Sequence, residues 1–261
     1  MTTTYARTTR DVVTVTGPDA VAYLQGQLSQ DVAALGVGES APTFVLSPQG
    51  KVDGWGRLHR VAEDAVTIDV DAGAGPAWLA RLSRFLLRTK AEIRVTEAVP
   101  MLSVRGATVD GGLAPVGPGV EGTDLLGSAD PELPSDLPAD ATELPPDELE
   151  VQRIRAGVPA WGTEIDDDTI PATLGQWVID ASVSFTKGCY TGQELVARID
   201  SRGGNVPRRL MGLLLDGPPP APGSPITVDG GAAGEVTSSA LDTAAGTTVA
   251  LAFVPRAVAV D

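Results

Sequence analysis

The single cysteine of this chain, Cys189, lies in the stretch SFTKGCYTGQELVAR at residues 184–198. Thr191 and Glu194 stand in the T-x-x-E relation, which predicts a helix capped by Thr191, with Glu194 as its third residue, running on through Leu195, Val196 and Arg198. Cys189 then precedes the cap by two residues, and Lys187 precedes the cysteine by two. The positive end of a helix and a nearby ammonium both favour a thiolate, so the spacing suits a nucleophilic or redox thiol. Gly188 and Gly192 let the backbone approach a ligand closely or take positive φ. A helix start beside a small buried cysteine gives the same pattern, and spacing alone leaves both readings open.

Other residues offer less. Asp53 is either a ligand contact or an exposed turn acid. Arg155 can grip a carboxylate or phosphate through its planar fork, or lie on a solvated helix face. Glu164 with Asp166, Asp167 and Asp168 lacks the alternating spacing and closing Glu of a calcium loop and reads as an acidic turn, so no metal site is expected. One histidine, His59, on an alternating strand pattern, reads as structural, and with one cysteine it makes a Cys/His zinc site in one chain implausible. Trp55, Trp161, Trp177 and Tyr190 suit a flat ring but also a core. Arginines 198, 202, 208 and 209 lack the interleaved aromatics of an RNA-stacking surface, so nucleic acid is not an expected partner.

The elements that must position these residues follow from composition and patterning. With 261 residues and 43% hydrophobic content the chain can build packed cores in one large or two to three small domains, which excludes a disordered tail. No apolar run reaches the length of a membrane span, and the first residues lack the marks of a signal peptide, so a cytoplasmic protein without membrane contact is expected. The net charge of −15 is uneven: no Lys or Arg falls between Arg105 and Arg153, where eleven acids lie, and the rest holds 23 acids against 19 bases.

Residues 11–16 read as a strand, followed by a Gly-Pro-Asp turn into a helix with Val21, Leu24 and Leu28 on one face. Segments 43–46 and 55–61 flank Ser47–Lys51 as a hairpin, with a further strand at 66–70. From Pro76 an amphipathic helix is predicted with Trp78, Leu79, Leu82, Phe85 and Leu86 inward and Arg81, Arg84 and Arg88 mostly outward, followed by strands at 91–97 and 100–105. Six Gly and seven Pro at 109–146 rule out a long regular element and predict a mobile acidic excursion contributing little to any pocket. A helix returns at 147–156, and short strands at 210–215, 225–228, 233–238 and 247–254 favour a small barrel or sandwich.

KGCYTGQE resembles the signature K-G-C-[FWY]-x-G-Q-E of the YgfZ family of folate-binding, iron-sulfur cluster assembly and repair proteins, relatives of the glycine-cleavage aminomethyltransferase. VTGPDAVAYLQGQLSQDV, LSPQGKVDGWGRLHR and RIRAGVPAWGTEIDDDTIPATLG extend the resemblance in the family's order. It implies an α+β fold: an aminomethyltransferase-like folate-binding region of pseudo-symmetric sheet-and-helix halves at 1–204, with the acidic segment inside it, and a C-terminal antiparallel β-barrel at 205–261. It further implies a central funnel for tetrahydrofolate or a related reduced folate, with Cys189 near its mouth, and iron-sulfur client or assembly proteins as partners. Carried over residue by residue, the implied site holds Cys189 and Lys187 as the reactive pair and Gly188, Tyr190, Gly192, Gln193, Glu194, Arg155 and Asp53 as cofactor contacts. The departures are specific. An Asp-Asp pair of the aminomethyltransferases is reduced here to Asp53, and their pterin-holding Glu is replaced by Arg155, which cannot accept the pterin's N–H bonds. The resemblance therefore implies an accessory folate-binding protein, with a folate-dependent one-carbon transferase or oxidoreductase as the alternative.

Overall fold

Alternating side chains generate the central sheet. The computed structural model describes residues 3–127, 133–228 and 230–258; part of the acidic segment, 128–132, lies outside them. Strands β1 (Thr4–Thr16), β2 (Ser40–Leu46), β3 (Val52–Ala62), β4 (Ala65–Asp71), β5 (Glu92–Arg105) and β6 (Gly122–Leu126) hydrogen-bond in the order β2-β3-β4-β1-β5-β6. β1 also pairs in parallel with the two-residue β7 (Thr142–Glu143). One face of this sheet is apolar: Val13 and Val15, Val45, Leu58, and Val66, Ile68 and Val70 form a core with helices α1 (Ala20–Gln27) and α2 (Gly75–Ser83). Because strand side chains alternate, the next residues along face the other way. They are Arg57 on β3, Asp69 and Asp71 on β4, and Ser103 on β5, the polar face that matters below.

The strands expected at 91–97 and 100–105 are one, β5, kinked where Ala98 takes φ 52°. Its register against β1 shifts between Arg10 and Val12, and a bulge of this kind bends a sheet and strengthens its twist. Asp11, only 1% exposed, holds the kink. Its carboxylate accepts from the Ala98 amide at 3.0 Å and from the Gly73 and Gly75 amides at 2.9 and 3.0 Å, so one acid serves both the bulge and the start of α2. α2 is shorter than predicted. It stops at Ser83, Phe85 is 48% exposed, and Arg81 is buried and not outward.

After α3 (Pro146–Arg155), a 3₁₀ turn (Pro171–Leu174) and helices α4 (Gln176–Ser182) and α5 (Gln193–Asp200) gather a second core of Phe44, Leu46, Leu174, Val178, Tyr190 and Phe253. The last strands, β8 (Arg208–Leu215), β9 (Pro225–Val228), β10 (Gly231–Asp242) and β11 (Thr247–Pro255), form an antiparallel sheet in the order β8-β11-β10-β9. Val151 and Ile154 of α3 pack on Val249 and Leu251 of β11. The fold is thus α+β, a curled mixed sheet with flanking helices and a C-terminal antiparallel β domain, as expected. Among the described residues no helix is long and apolar enough to cross a membrane.

Candidate functional site

A cavity of about 440 Å³ opens on the polar face of the central sheet, a size typical of small-molecule sites. It lies where β1 passes from its pairing with β4, over Arg10–Thr16, to its pairing with β7, over Thr4 and Tyr5. Arg10, Trp55, Arg57, Asp69, Asp124 and Arg153 are among its lining. The acidic segment was expected to contribute little, yet Val116, Val120 and Asp124 line the cavity, and β6 and β7 belong to the sheet. Among its described residues the regular elements are short, Gly122–Leu126 and Thr142–Glu143.

Charges in the wall are paired with one another. Arg57, 3% exposed, grips Asp69 with Nε and Nη2 at 2.8 and 3.3 Å, and donates from Nη1 to Asp124 at 2.9 Å and to the Ala114 carbonyl at 2.7 Å. Arg105 donates to the other Asp124 oxygen at 2.8 Å. Arg10 bonds Asp69 at 3.2 Å and also Asp71, whose second oxygen accepts from the Trp161 amide at 2.8 Å. Burial favours the neutral acid at Asp124, but Arg105 and Arg57 overcome it and hold the carboxyl below its ordinary range. Burial likewise works against the Arg57 charge, and Asp69 and Asp124 raise it above its usual value. On the α3 side, Arg153 bonds Glu150, the Val158 carbonyl, Ser238 and the buried Glu164. Burial would raise Glu164; Arg153 and Ser238 bring it below the normal carboxylate value.

Two hydroxyls in this wall are buried without a hydrogen-bond partner among the described residues, Thr8 Oγ1 and Ser103 Oγ. Thr8 is opposite Met101, two residues from Ser103, which makes the two hydroxyl residues diagonal neighbours on one sheet face. Ser103 sits beside Asp124 and favours its ionised form without reaching hydrogen-bond geometry. What the cavity offers a ligand is apolar walls such as Val116, Leu149 and Val158 and these two hydroxyls, while Arg7 and Arg105 are engaged with Glu143 and Asp124.

The residues singled out around Cys189 are brought together, but none of them lines this cavity. Cys189 is exposed. Lys187 turns into the protein, where Nζ donates to the carbonyls of Gln25, Leu28 and Gln30 at 2.7, 2.7 and 2.8 Å and lies 5.1 Å from the centre of the Tyr190 ring. Burial pushes its ammonium down to about 8, partly opposed by Asp31. Tyr190 is a core residue whose phenol burial pushes up to about 12. The predicted cap is corrected by one residue. Gly192, at φ 82°, is the N-cap of α5 and no side chain caps it; Gln193 Oε1 accepts instead from the Tyr190 amide, two residues before the cap, at 3.0 Å, and Glu194 is exposed in the first turn. A side chain at Gly192 would strike the Ser47 carbonyl and Leu46 Cβ, at 2.5 and 2.6 Å, so glycine is required by the turn it packs on. Gly188 is exposed with open space around it.

The remaining candidates lie elsewhere. Asp53 accepts from Arg81 Nε at 2.9 Å, while Arg81 also bonds the Leu46 carbonyl. Arg155 pairs with Asp242 across the interface of α3 and β10. The residues missed in the sequence are the cavity pairs. Part of their signal lies in the sequence: Asp69 and Asp71 stand at alternate positions in the mostly apolar strand β4.

Residues 208–261 match the glycine cleavage T-protein C-terminal barrel domain family. An uncharacterized protein of Haemophilus influenzae is 29% identical over 196 residues, covering 74% of this chain and 67% of that protein. The tRNA-modifying protein YgfZ of Edwardsiella ictaluri is 27% identical over 219 residues, and that of Photorhabdus laumondii 27% over 216, each covering 74% of this chain and 65% of the relative. The chain is thus similar in sequence to proteins of the YgfZ type over about three quarters of its length. The matches span about two thirds of the length of these three proteins. In fold, the chain is similar to the crystal structure of glycine cleavage system aminomethyltransferase T from Bartonella henselae, with a TM-score of 0.75 at 19% identity over 97% of this chain and 78% of that one. At that identity the likeness concerns the fold.

Proposed function

We propose that the protein is a cytoplasmic folate-binding factor that supports assembly or repair of iron-sulfur proteins, with the ligand in the sheet cavity and Cys189 acting on a partner. The observation that carries this reading is the separation of the two sites: a cavity of ligand size, and a loop that displays its thiol outside it. Cys189 does not line the cavity, and in this reading its exposed thiol acts on a macromolecule. One thiol is too few for a stable cluster, which takes four thiolates or equivalent ligands, so a client or assembly protein must supply the others. The names of the relatives make tRNA-modifying enzymes the first clients to assay. A one-carbon transferase is less well supported, because Asp53, the acid that would orient the folate, is engaged with Arg81 away from the cavity.

Two variants test the reading. Val116→Trp, filling the cavity, should abolish binding of 5-formyltetrahydrofolate in titration calorimetry while Cys189 still alkylates at the wild-type rate. Cys189→Ser should keep ligand affinity and lose the ability to restore iron-sulfur enzyme activity in a strain lacking the protein. Full rescue by Cys189→Ser, or undiminished binding by Val116→Trp, would refute the corresponding half.

A further inference from the structure

The loop carrying Cys189 is tied down on both sides. Ser184 N–H donates to the Ser29 carbonyl at 3.0 Å and Thr191 N–H to the Gly26 carbonyl at 3.1 Å. Gly192 seats on the β2–β3 turn. Between these ties Lys187 crosses to the end of α1, and Cys189 remains exposed two residues on. We infer that Lys187 is the positioning residue of Cys189: it fixes where the thiol stands by capping the C-terminal end of α1, and its charge does not serve the sulfur. The inference rests on the proposed role of Cys189 as the reactive group.

The chemistry of the cage carries the argument. An ammonium has three protons, and three carbonyls at 2.7–2.8 Å take them all, leaving none for a thiolate. The last carbonyls of a helix have no partner within it and carry partial negative charge. α1 ends at Gln27, and neither a basic residue in its last turn nor a glycine at its C-cap, Leu28, meets that need locally. Lys187, about 160 positions away in the chain, supplies donors to Gln25 in the last turn and to Leu28 at the C-cap, and its third proton goes to Gln30 just beyond. Three carbonyls converging on one point suit an ammonium and not a planar guanidinium, whose donors diverge in a fork. The lysine was expected to act as the cation that acidifies the cysteine; its bonds point it into the protein instead.

The test compares Lys187→Met and Lys187→Arg in the full-length protein. Iodoacetamide alkylation of Cys189 against pH reads the thiol directly, and hydrogen exchange of residues 184–192 reads the loop. The Met variant should keep the wild-type alkylation midpoint while loop exchange quickens about tenfold, on the scale of one lost charge-assisted hydrogen bond. The Arg variant should fail to restore the loop despite keeping the charge. A midpoint raised by about one pH unit in Met and restored in Arg would assign the lysine to the thiol and overturn the inference. Unchanged exchange in both variants would overturn it as well. If the Met variant does not fold, Lys187→Gln, which keeps two N–H donors, is judged by the same criteria. None of these readouts involves a client, so loss of the iron-sulfur reading, shown by Cys189→Ser with full activity, stays distinct from failure here.

Discussion

Arg57 on β3 donates to Asp124 on β6 at 2.9 Å, although β4, β1 and β5 lie between them in the sheet. Neighbouring strands are about 4.8 Å apart, so a flat sheet would separate β3 and β6 by about 19 Å, beyond the reach of the two side chains. The sheet must curl, and the cavity is its concave side. The bulge at Arg10/Val12 and the kink at Ala98 supply the bend.

Removing the central cation should be severe. Arg57→Met leaves Asp69 and Asp124 buried with fewer partners, and a loss of about 3–5 kcal/mol in urea unfolding is expected. A loss below about 1 kcal/mol would mean that the two acids find water or simply become neutral.

Acid should weaken this network in a definite window. The folded-state value of Asp124 is depressed, so its contribution is complete above about 3.9, the usual unfolded value, and is lost as pH falls through the folded value. Unfolding curves between pH 5 and 2, taken for wild type and Asp124→Asn, should differ in slope below about pH 4. Parallel curves would remove Asp124 from the acid response.

His59 works through the opposite kind of group with the same sign of slope. Burial, with Arg57 adding to it against Asp69, lowers this sole histidine below its ordinary value. The folded state then binds fewer protons than the unfolded one, so stability falls as pH drops from about 6.5 toward the folded value. Its isolated NMR titration should have a midpoint below about 6.5, and His59→Gln should flatten stability in that range.

Asp11 offers a backbone test. Asp11→Ala strands the amides of Gly73, Gly75 and Ala98 in one step, and about 2–4 kcal/mol of stability should go with it. Asp11→Asn, which keeps an acceptor oxygen, should cost less; equal losses would show that packing, not capture of the amides, explains the residue.

Much of the scaffold was legible in the sequence, because strand and helix periodicities are local. Alternation located β1 to β4, Ser47–Lys51 marked the hairpin between β2 and β3, and Pro145-Pro146 with Gly157 bracketed α3. The same local information singled out the Cys189 loop and placed Tyr190 and Gln193 in it. What it could not supply was direction. Two residues between Lys187 and Cys189 suggested a charge beside a thiol, but the lysine follows three carbonyls at the end of α1, which come within reach only when the loop packs there. Arg81 looked like a solvated helix residue until the packing of α2 on the sheet set it against Asp53 and Leu46. The cavity is the fullest case: its arginines and aspartates are scattered from Arg10 to Arg153, and only the curl of the sheet makes them neighbours. Desolvated ion pairs depend on distance in space, and no local pattern encodes the curvature that sets it.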